Sequence, residues 1–277
     1  MYNEFDDIIL RSLEEDAPFG DITTDVTVAG DATASGVFRA KESGVLCGID
    51  IARRTFELVG GEVAFVKKKA DGDLLEKGDI VAEISGNAAS ILMGERTALN
   101  LMQRASGIAT ATRRAMQAVE GTQARITDTR KTMPGLRKLD KYAVRAAGAV
   151  NHRFSLSDGI LIKDNHIAAA GGIAPAVRAA KRKAPHTLKV EVESLDGLRE
   201  ALEAGADIIM LDNMSCALMR EAVEITAGRA VLEASGNMGE RDLAEVAATG
   251  VDLISIGGLT HSVKALDISL KFDMHGM

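Results

Sequence analysis

Aromatic side chains are scarce. The chain has no Trp, two Tyr and seven Phe, so aromatics make up 3% of its 277 residues. Base stacking on aromatic platforms is therefore a poor candidate for its activity. Net positive charge is missing as well, and a formal charge of -7 argues against a nucleic-acid partner. Only two cysteines occur, Cys47 and Cys216, far apart in apolar surroundings. They read as small buried hydrophobes, not as a disulfide or a metal pair. The histidines show no metal-ligand spacing with cysteine, and His186 and His275 read as surface residues. No apolar run is long enough to span a bilayer. Met1 to Asp7 is acidic and lacks an apolar signal core. The expectation is a cytoplasmic protein with no membrane and no nucleic-acid partner.

What is present is a soluble globular composition, 46% hydrophobic and 26% charged. Against the acidic background stands one basic stretch, Thr127 to His166. It holds eight Lys/Arg residues and four acids. A cationic island in an anionic protein reads either as a solvated helix face or as a pocket for several negative charges.

The chain order helps choose. Asn3 is a candidate cap for a first helix carrying Phe5, Ile8, Ile9 and Leu13. Residues 34–40, 45–49, 62–69 and 80–84 read as strands, and Asp50 as the cap of a helix closed by Gly60-Gly61. This first part reads as α+β with a mostly antiparallel sheet. From Asn87 long helical segments follow, with an expected interruption at Ser106-Gly107. From Arg125 strand and helix alternate, with Asp196 as one helix cap. Near-repeats at 204–209 and 249–254 mark helix-to-strand corners. The later units recur about every 20 residues, close to the minimum for a βαβ step. Six strands can be counted and a seventh is hidden if the ring is fuller, which predicts an incomplete α/β barrel. No Gly-rich dinucleotide fingerprint follows the first strand. The expected domains are 1–105, with 266–277 returning to it, and 106–265.

Barrel enzymes place chemistry at the C-terminal ends of their strands. Here those ends carry Asp128 to Lys131, Lys163 to His166, Glu191 and Glu193, Asp212-Asn213, Glu233 to Gly236, and Gly257 to His261. Any one of them alone reads blandly, as an ion pair, a tight turn or, for His166, a loop anchor. Polar or Gly-rich character at all six together is what a bland reading explains poorly. Arg130 and Arg153 have the guanidinium geometry to grip carboxylates, and Lys131 and Lys163 supply compact charge for phosphates. Glu191 and Asp212 are candidates to hold Mg²⁺ through waters. The late Gly-containing ends fit a phosphate.

At these residues the sequence resembles the quinolinate phosphoribosyltransferase family. The segments that carry the resemblance are Glu95 to Asn100, Ser106 to Thr110, Asp128 to Thr132 with Pro134 to Leu136, Lys141 to Arg145, Asn151 to Arg153, Leu161 to His166, Leu211 to Asn213 and Leu259 to Lys264, with Gly20 to Asp25 earlier. The resemblance covers nearly the whole chain in order. It implies an N-terminal open-faced α/β sandwich and a C-terminal incomplete α/β barrel of the type II phosphoribosyltransferase kind. It also implies a homodimer whose active sites are shared. The implied reaction joins quinolinate to 5-phosphoribosyl-1-diphosphate with Mg²⁺, giving nicotinate mononucleotide, diphosphate and carbon dioxide.

By the same resemblance Arg130, His152 and Arg153 bind the quinolinate carboxylates, and Arg96 reaches them from the neighbouring subunit. Lys131 and Lys163 contact quinolinate and diphosphate, and Glu191 and Asp212 organise Mg²⁺ and the ribose. Ser235, Gly236, Gly257 and His261 surround a phosphate. Three places depart from the family pattern by having less glycine: Ala146-Ala147-Gly148, Ser155 and Asn237. The alternatives are a related molybdenum-locus protein of the same fold, a Schiff-base aldolase using Lys163, and a non-catalytic phosphate-binding protein.

Overall fold

A computed structural model describes residues 3–183 and 187–272, so that His186, His275 and the end of the expected C-terminal segment lie outside the described residues. The elements run α1 (Asp6–Asp16), α2 (Ile22–Thr27), β1 (Thr33–Ala40), β2 (Gly44–Val45), α3 (Ile49–Val59), β3 (Val63–Lys67), β4 (Leu74–Leu75), β5 (Ile80–Asn87) and α4 (Ala88–Ala118). They continue as β6 (Arg125–Thr127), α5 (Arg137–Ala146), β7 (Ile160–Ile162), α6 (Asp164–Ala170), α7 (Ile173–Lys183), β8 (Leu188–Val192), α8 (Leu195–Ala204) and β9 (Ile208–Asp212). The last are α9 (Cys216–Thr226), β10 (Val231–Ser235), α10 (Leu243–Ala247), β11 (Leu253–Ser255), α11 (Gly258–His261) and β12 (Ile268–Phe272). The chain forms two units: residues 1–113, 133–148 and 263–277 belong to the first, and 114–132 and 149–262 to the second.

The first unit is built on an antiparallel sheet ordered β12-β1-β5-β3. Alternation in β1 turns Phe38 and Ala40 into the core. Phe56 of α3 and Ile91, Leu99 and Met102 of α4 pack on the same cluster. Phe38 and Phe65 lie 5.5 Å apart and Phe56 and Phe65 5.9 Å apart, aromatic pairs worth about 0.5–1.5 kcal/mol each beyond area burial.

Helix α4 passes Ser106-Gly107 unbroken, against the expected interruption. Tertiary contacts override the weak helix propensity of glycine there. A Cβ on Gly107 would come within 3.0 Å of Ala265 Cα, so a close crossing of the chain requires glycine. Ser106 Oγ accepts from Cys47 N at 2.9 Å and donates to Cys47 O at 3.0 Å. The cap assignments also change. Asp50 lies inside the first turn of α3, which Gly48 precedes at φ 94°. Ser194, not Asp196, caps α8, its Oγ accepting from Gly197 N at 3.2 Å. Helix α1 is preceded by Phe5, and the Asn3 side chain accepts the Phe5 N–H at 3.1 Å.

Helix α5 belongs to the first unit. Its Asp140, fully buried, accepts from Arg104 Nε at 2.8 Å and Nη2 at 2.9 Å. Its Tyr142 hydroxyl donates to Asp71 at 2.5 Å, and burial together with that carboxylate pushes the phenol's pKa upward.

The second unit contains a parallel sheet ordered β6-β11-β10-β9-β8-β7. Val150 makes a one-residue parallel bridge to Thr127, on the β6 edge away from β11. Val150 N donates to Ile126 O at 3.1 Å. This is the hidden seventh strand position. Consecutive strands from β7 to β11 are neighbours and β11 pairs with β6, and among the described residues the ring lacks only a pairing between Val150 and β7. The fold class is thus mixed α/β, with a parallel incomplete barrel in one unit and an antiparallel sheet in the other. Among the described residues no helix is long and apolar enough to cross a membrane.

An acid test of the first unit comes from Asp6 and Arg54. Arg54 Nε and Nη2 each donate to the Asp6 carboxylate at 2.8 Å. That contact, opposed in part by burial, holds the carboxyl at about 2 against an ordinary 3.8. The folded pKa is depressed, so the stabilisation is present above the unfolded value and is lost as pH falls through about 2. Arg54→Met should lower the urea midpoint at neutral pH, and its deficit should shrink as pH falls from about 5 toward 2. A deficit independent of pH in circular-dichroism titrations would show that this ion pair is not the cause.

Candidate active site

The site grows from the strand ends of the second unit. After β6 the chain enters Asp128, whose carboxylate has no exposed surface. It accepts from Asn151 Nδ2 at 2.9 Å and from His152 N at 2.7 Å. The acid thus extends the brief Val150 bridge into a fixed segment and aims the residues after it. Arg153 Nη1 donates to Gly159 O at 3.2 Å, closing the loop that leads to β7. Burial, and then the charge of Arg130, lowers the pKa of Arg153, with Asp158 partly offsetting them. The guanidinium remains charged in either case, because its ordinary pKa is so high. Two cationic groups held together in this way favour an anion between them.

Lys163 directly precedes α6, and its backbone N donates to His166 Nδ1 at 3.1 Å. His166 is therefore the loop anchor, and Lys163 is fixed at the root. The Lys163 ammonium is hydrogen-bonded to Glu191 of β8. In β8 the buried residues Leu188, Val190 and Val192 alternate with the half-buried Lys189 and Glu191. Period-two alternation puts Lys189 and Glu191 on the same face. Asp212 ends β9 and accepts from Asn213 Nδ2 at 2.8 Å.

The last two ends depend on backbone geometry. Asn213 takes the left-handed conformation at φ 54° and donates its N–H to Ser235 O at 3.0 Å. Gly236 follows at φ 93°, and a Cβ there would lie 2.6 Å from Asn213 Cγ. Gly257 has an ordinary φ of -65°, so its need for glycine is one of space. A Cβ on it would meet Lys131 Cδ at 3.0 Å and His261 Cδ2 at 3.1 Å. Thr260 Oγ1 donates to Lys131 O at 2.8 Å, fastening α11 to the loop after β6.

These ends surround one cavity of about 760 Å³. It brings together Arg130, Lys131, His152, Arg153, Lys163, Glu191, Asp212, Ser235, Gly236, Gly257 and His261. Arg96 is not among its lining residues and is exposed on α4 in the first unit. Asn213 and Asn237, named in the sequence but given no ligand role, also line the cavity, and Met238 and Glu240 do so without having been expected. Asn213 was visible as the neighbour of Asp212, whereas residues 237–240 follow a strand end whose loop length no periodicity reports. Asp128, Lys189 and Glu233 do not line the cavity. Only the alternation of Lys189 with Glu191 could have hinted that a second charged layer exists.

The cavity can orient a ligand carrying several carboxylates and phosphates and can neutralise a leaving anion. Fold and site together define an α/β-barrel enzyme for multiply anionic substrates. Residues 108–271 match the quinolinate phosphoribosyl transferase C-terminal domain family, and residues 21–106 match the N-terminal domain family. The chain belongs to the quinolinate phosphoribosyltransferase family. It is 47% identical to the probable nicotinate-nucleotide pyrophosphorylase (carboxylating) of Bacillus subtilis, over 92% of this chain and 89% of that one. It is 43% identical to the nicotinate-nucleotide pyrophosphorylase (carboxylating) of Mycobacterium leprae, over 96% of this chain and 98% of that one. The crystal structure of NadC from Streptococcus pyogenes superposes with a TM-score of 0.93 at 43% identity, covering 97% of this chain and 95% of that one.

Asp128→Asn leaves a buried amide donor facing one of the two N–H donors that now meet a carboxylate. The expected loss is about 1–3 kcal/mol of unfolding free energy, measured by urea denaturation. An unchanged midpoint would mean that Asp128 does not hold the Asn151-His152 segment.

Proposed function

We propose that this protein is a quinolinate phosphoribosyltransferase of NAD biosynthesis. It joins quinolinate to 5-phosphoribosyl-1-diphosphate, forming nicotinate mononucleotide and releasing diphosphate and carbon dioxide. The observation that carries this is one cavity, in a chain of that family, lined by Arg130, Lys131, His152, Arg153 and Lys163 opposite Glu191 and Asp212.

Arg130, His152 and Arg153 take the two carboxylates of quinolinate and hold its ring nitrogen toward the ribosyl carbon. That nitrogen is a modest nucleophile, so the leaving group must be stabilised. Lys131 and Lys163 place positive charge beside the departing diphosphate, and Ser235, Gly236, Gly257 and His261 hold a phosphate. The pyridinium so formed stabilises the electron pair left on the ring carbon when the adjacent carboxylate leaves as carbon dioxide, and a proton from solvent then takes its place on that carbon. No protein nucleophile is needed. The ammonium of Lys163, paired with Glu191, suits charge neutralisation better than Schiff-base formation.

Glu191 and Asp212 suit Mg²⁺. Among the described residues no group of three or more His, Cys, Asp or Glu could enclose a metal. Two carboxylates flanking an anion site fit an ion that keeps waters and binds substrate phosphates. When bound it supplies charge neutralisation on the diphosphate. We further propose a homodimer in which Arg96 completes the neighbouring subunit's site. We place the protein in the cytoplasm, a reading that its two buried free cysteines support.

Incubation with quinolinate, phosphoribosyl diphosphate and Mg²⁺ should yield nicotinate mononucleotide, and absence of product would sink the reading. Clear turnover of nicotinate in place of quinolinate would move the assignment to a non-decarboxylating enzyme. Arg130→Ala should weaken quinolinate binding by about 2 kcal/mol or more, with much less effect on phosphoribosyl diphosphate. Equal losses for both ligands would refute the role given to Arg130. Mixing Arg96→Ala with Lys163→Ala subunits should restore part of the activity through hybrid dimers. No recovery in verified hybrids would rule out the shared site.

A further inference from the structure

Beneath the cavity lies a second charged layer that takes no part in the proposed reaction. Glu233 of β10 has no exposed side-chain surface, and its carboxylate is hydrogen-bonded to the Lys189 ammonium. Strand β9 lies between β8 and β10, with Lys189 in register with Ile208 and Glu233 with Met210. The lysine therefore reaches across a whole strand, roughly 10 Å at ordinary strand spacing. Nothing in sheet formation asks for this. A buried ion pair contributes little net stability over an apolar pair of like volume, because desolvation offsets its Coulomb energy.

The second oxygen of Glu233, Oε1, is buried without a hydrogen bond among the described residues. His152 Nε2 lies 3.9 Å from it. That is too long for a hydrogen bond and short enough for a small ring tilt to make one. The backbone N–H of His152 donates to Asp128 at 2.7 Å, which fixes the point from which the ring projects. The lysine neutralises one face of the carboxylate, which lets an ionised acid remain buried. The other face is turned toward the imidazole.

We propose that Lys189 and Glu233 form a positioning pair for His152. Glu233 attracts the Nε2–H of the ring and sets its orientation, so that the imidazole meets the acidic substrate in one pose. Lys189 holds Glu233 in place. A carboxylate behind a histidine is a common way of fixing ring orientation. The inference deepens the proposed function and rests on His152 contacting quinolinate.

The test measures KM for each substrate and kcat in Glu233→Gln, His152→Asn and the double variant, with thermal midpoints alongside. Glu233→Gln should raise the quinolinate KM roughly tenfold or more and leave the phosphoribosyl diphosphate KM within about twofold. In the His152→Asn background, Glu233→Gln should add nothing further, because Glu233 acts through that ring. A quinolinate KM unchanged by Glu233→Gln, or a full additional rise in the His152→Asn background, would overturn the pair's role. An unchanged quinolinate KM in His152→Asn itself would instead overturn the substrate contact on which the inference rests. If Glu233→Gln fails to fold because Lys189 is left unpaired, Lys189→Met/Glu233→Gln removes both charges together. That variant should fold and show the same selective rise in quinolinate KM, and a wild-type KM in it would overturn the proposal.

Discussion

Every charged group inside this barrel must find an opposite charge or a donor, because the parallel sheet leaves little water between its strands. The cost of an isolated buried ion is high enough to dictate where each side chain points. Glu233 is matched by Lys189, and Asp128 by two N–H donors from residues 151–152. Glu191 is matched by Lys163 nearer the cavity. These contacts grade from fully buried to half exposed, since the Lys163 side chain retains 45% of its surface while that of Lys189 retains 12%. The deeper pair is fixed in place. The outer pair, at the cavity, is exposed enough to exchange partners.

The same constraint explains why the basic stretch divides. Thr127 to Thr132 and Ala149 to His166 lie in the second unit, and Met133 to Gly148 in the first. In the first unit the structural contact of α5 comes through its acid, paired with a cation of α4. Asp140 is fully buried and takes Arg104 in a bidentate contact, and it also accepts Met133 N at 3.2 Å. Arg130, Lys131, Arg153 and Lys163 instead line the cavity. The island seen in one dimension is two populations, separated by which unit their backbone belongs to.

Much of this could be read in one dimension, and the failures have physical causes. Alternation of strand and helix after Arg125 is a periodic signal, and it revealed the parallel sheet. The polar strand ends stood out because barrel strands are short and each ends abruptly. Val150 was beyond reach, since a one-residue bridge has no period. The break expected at Ser106-Gly107 followed local propensity, which the close approach of Ala265 overrides. Asp50 and Asp196 were mistaken for caps because an acid suits the first turn as well as the cap itself. Glu233 was legible only as part of a polar strand end and Lys189 not at all, since a pairing across an intervening strand leaves no trace in spacing. The return of 133–148 to the first unit rests on single contacts such as Tyr142 with Asp71, which no pattern announces.

The positions with less glycine than the family pattern show how a loop can be kept without its usual residue. Glycine is needed where φ is positive or where a Cβ has no room. Ala147 has φ -75°, so alanine costs nothing there, and the strained turn falls on Gly148 at 102°. Ser155 accepts from Ser157 N at 3.1 Å through its hydroxyl, a local turn that glycine could not make. Asn237 adopts φ 50°, and asparagine is among the few residues that enter the left-handed region at modest cost. Gly236 just before it, at φ 93° and packed on Asn213, has no such substitute. The demand for glycine thus sits at the residue whose Cβ would collide, and its neighbours are free to trade flexibility for a side chain that organises the loop.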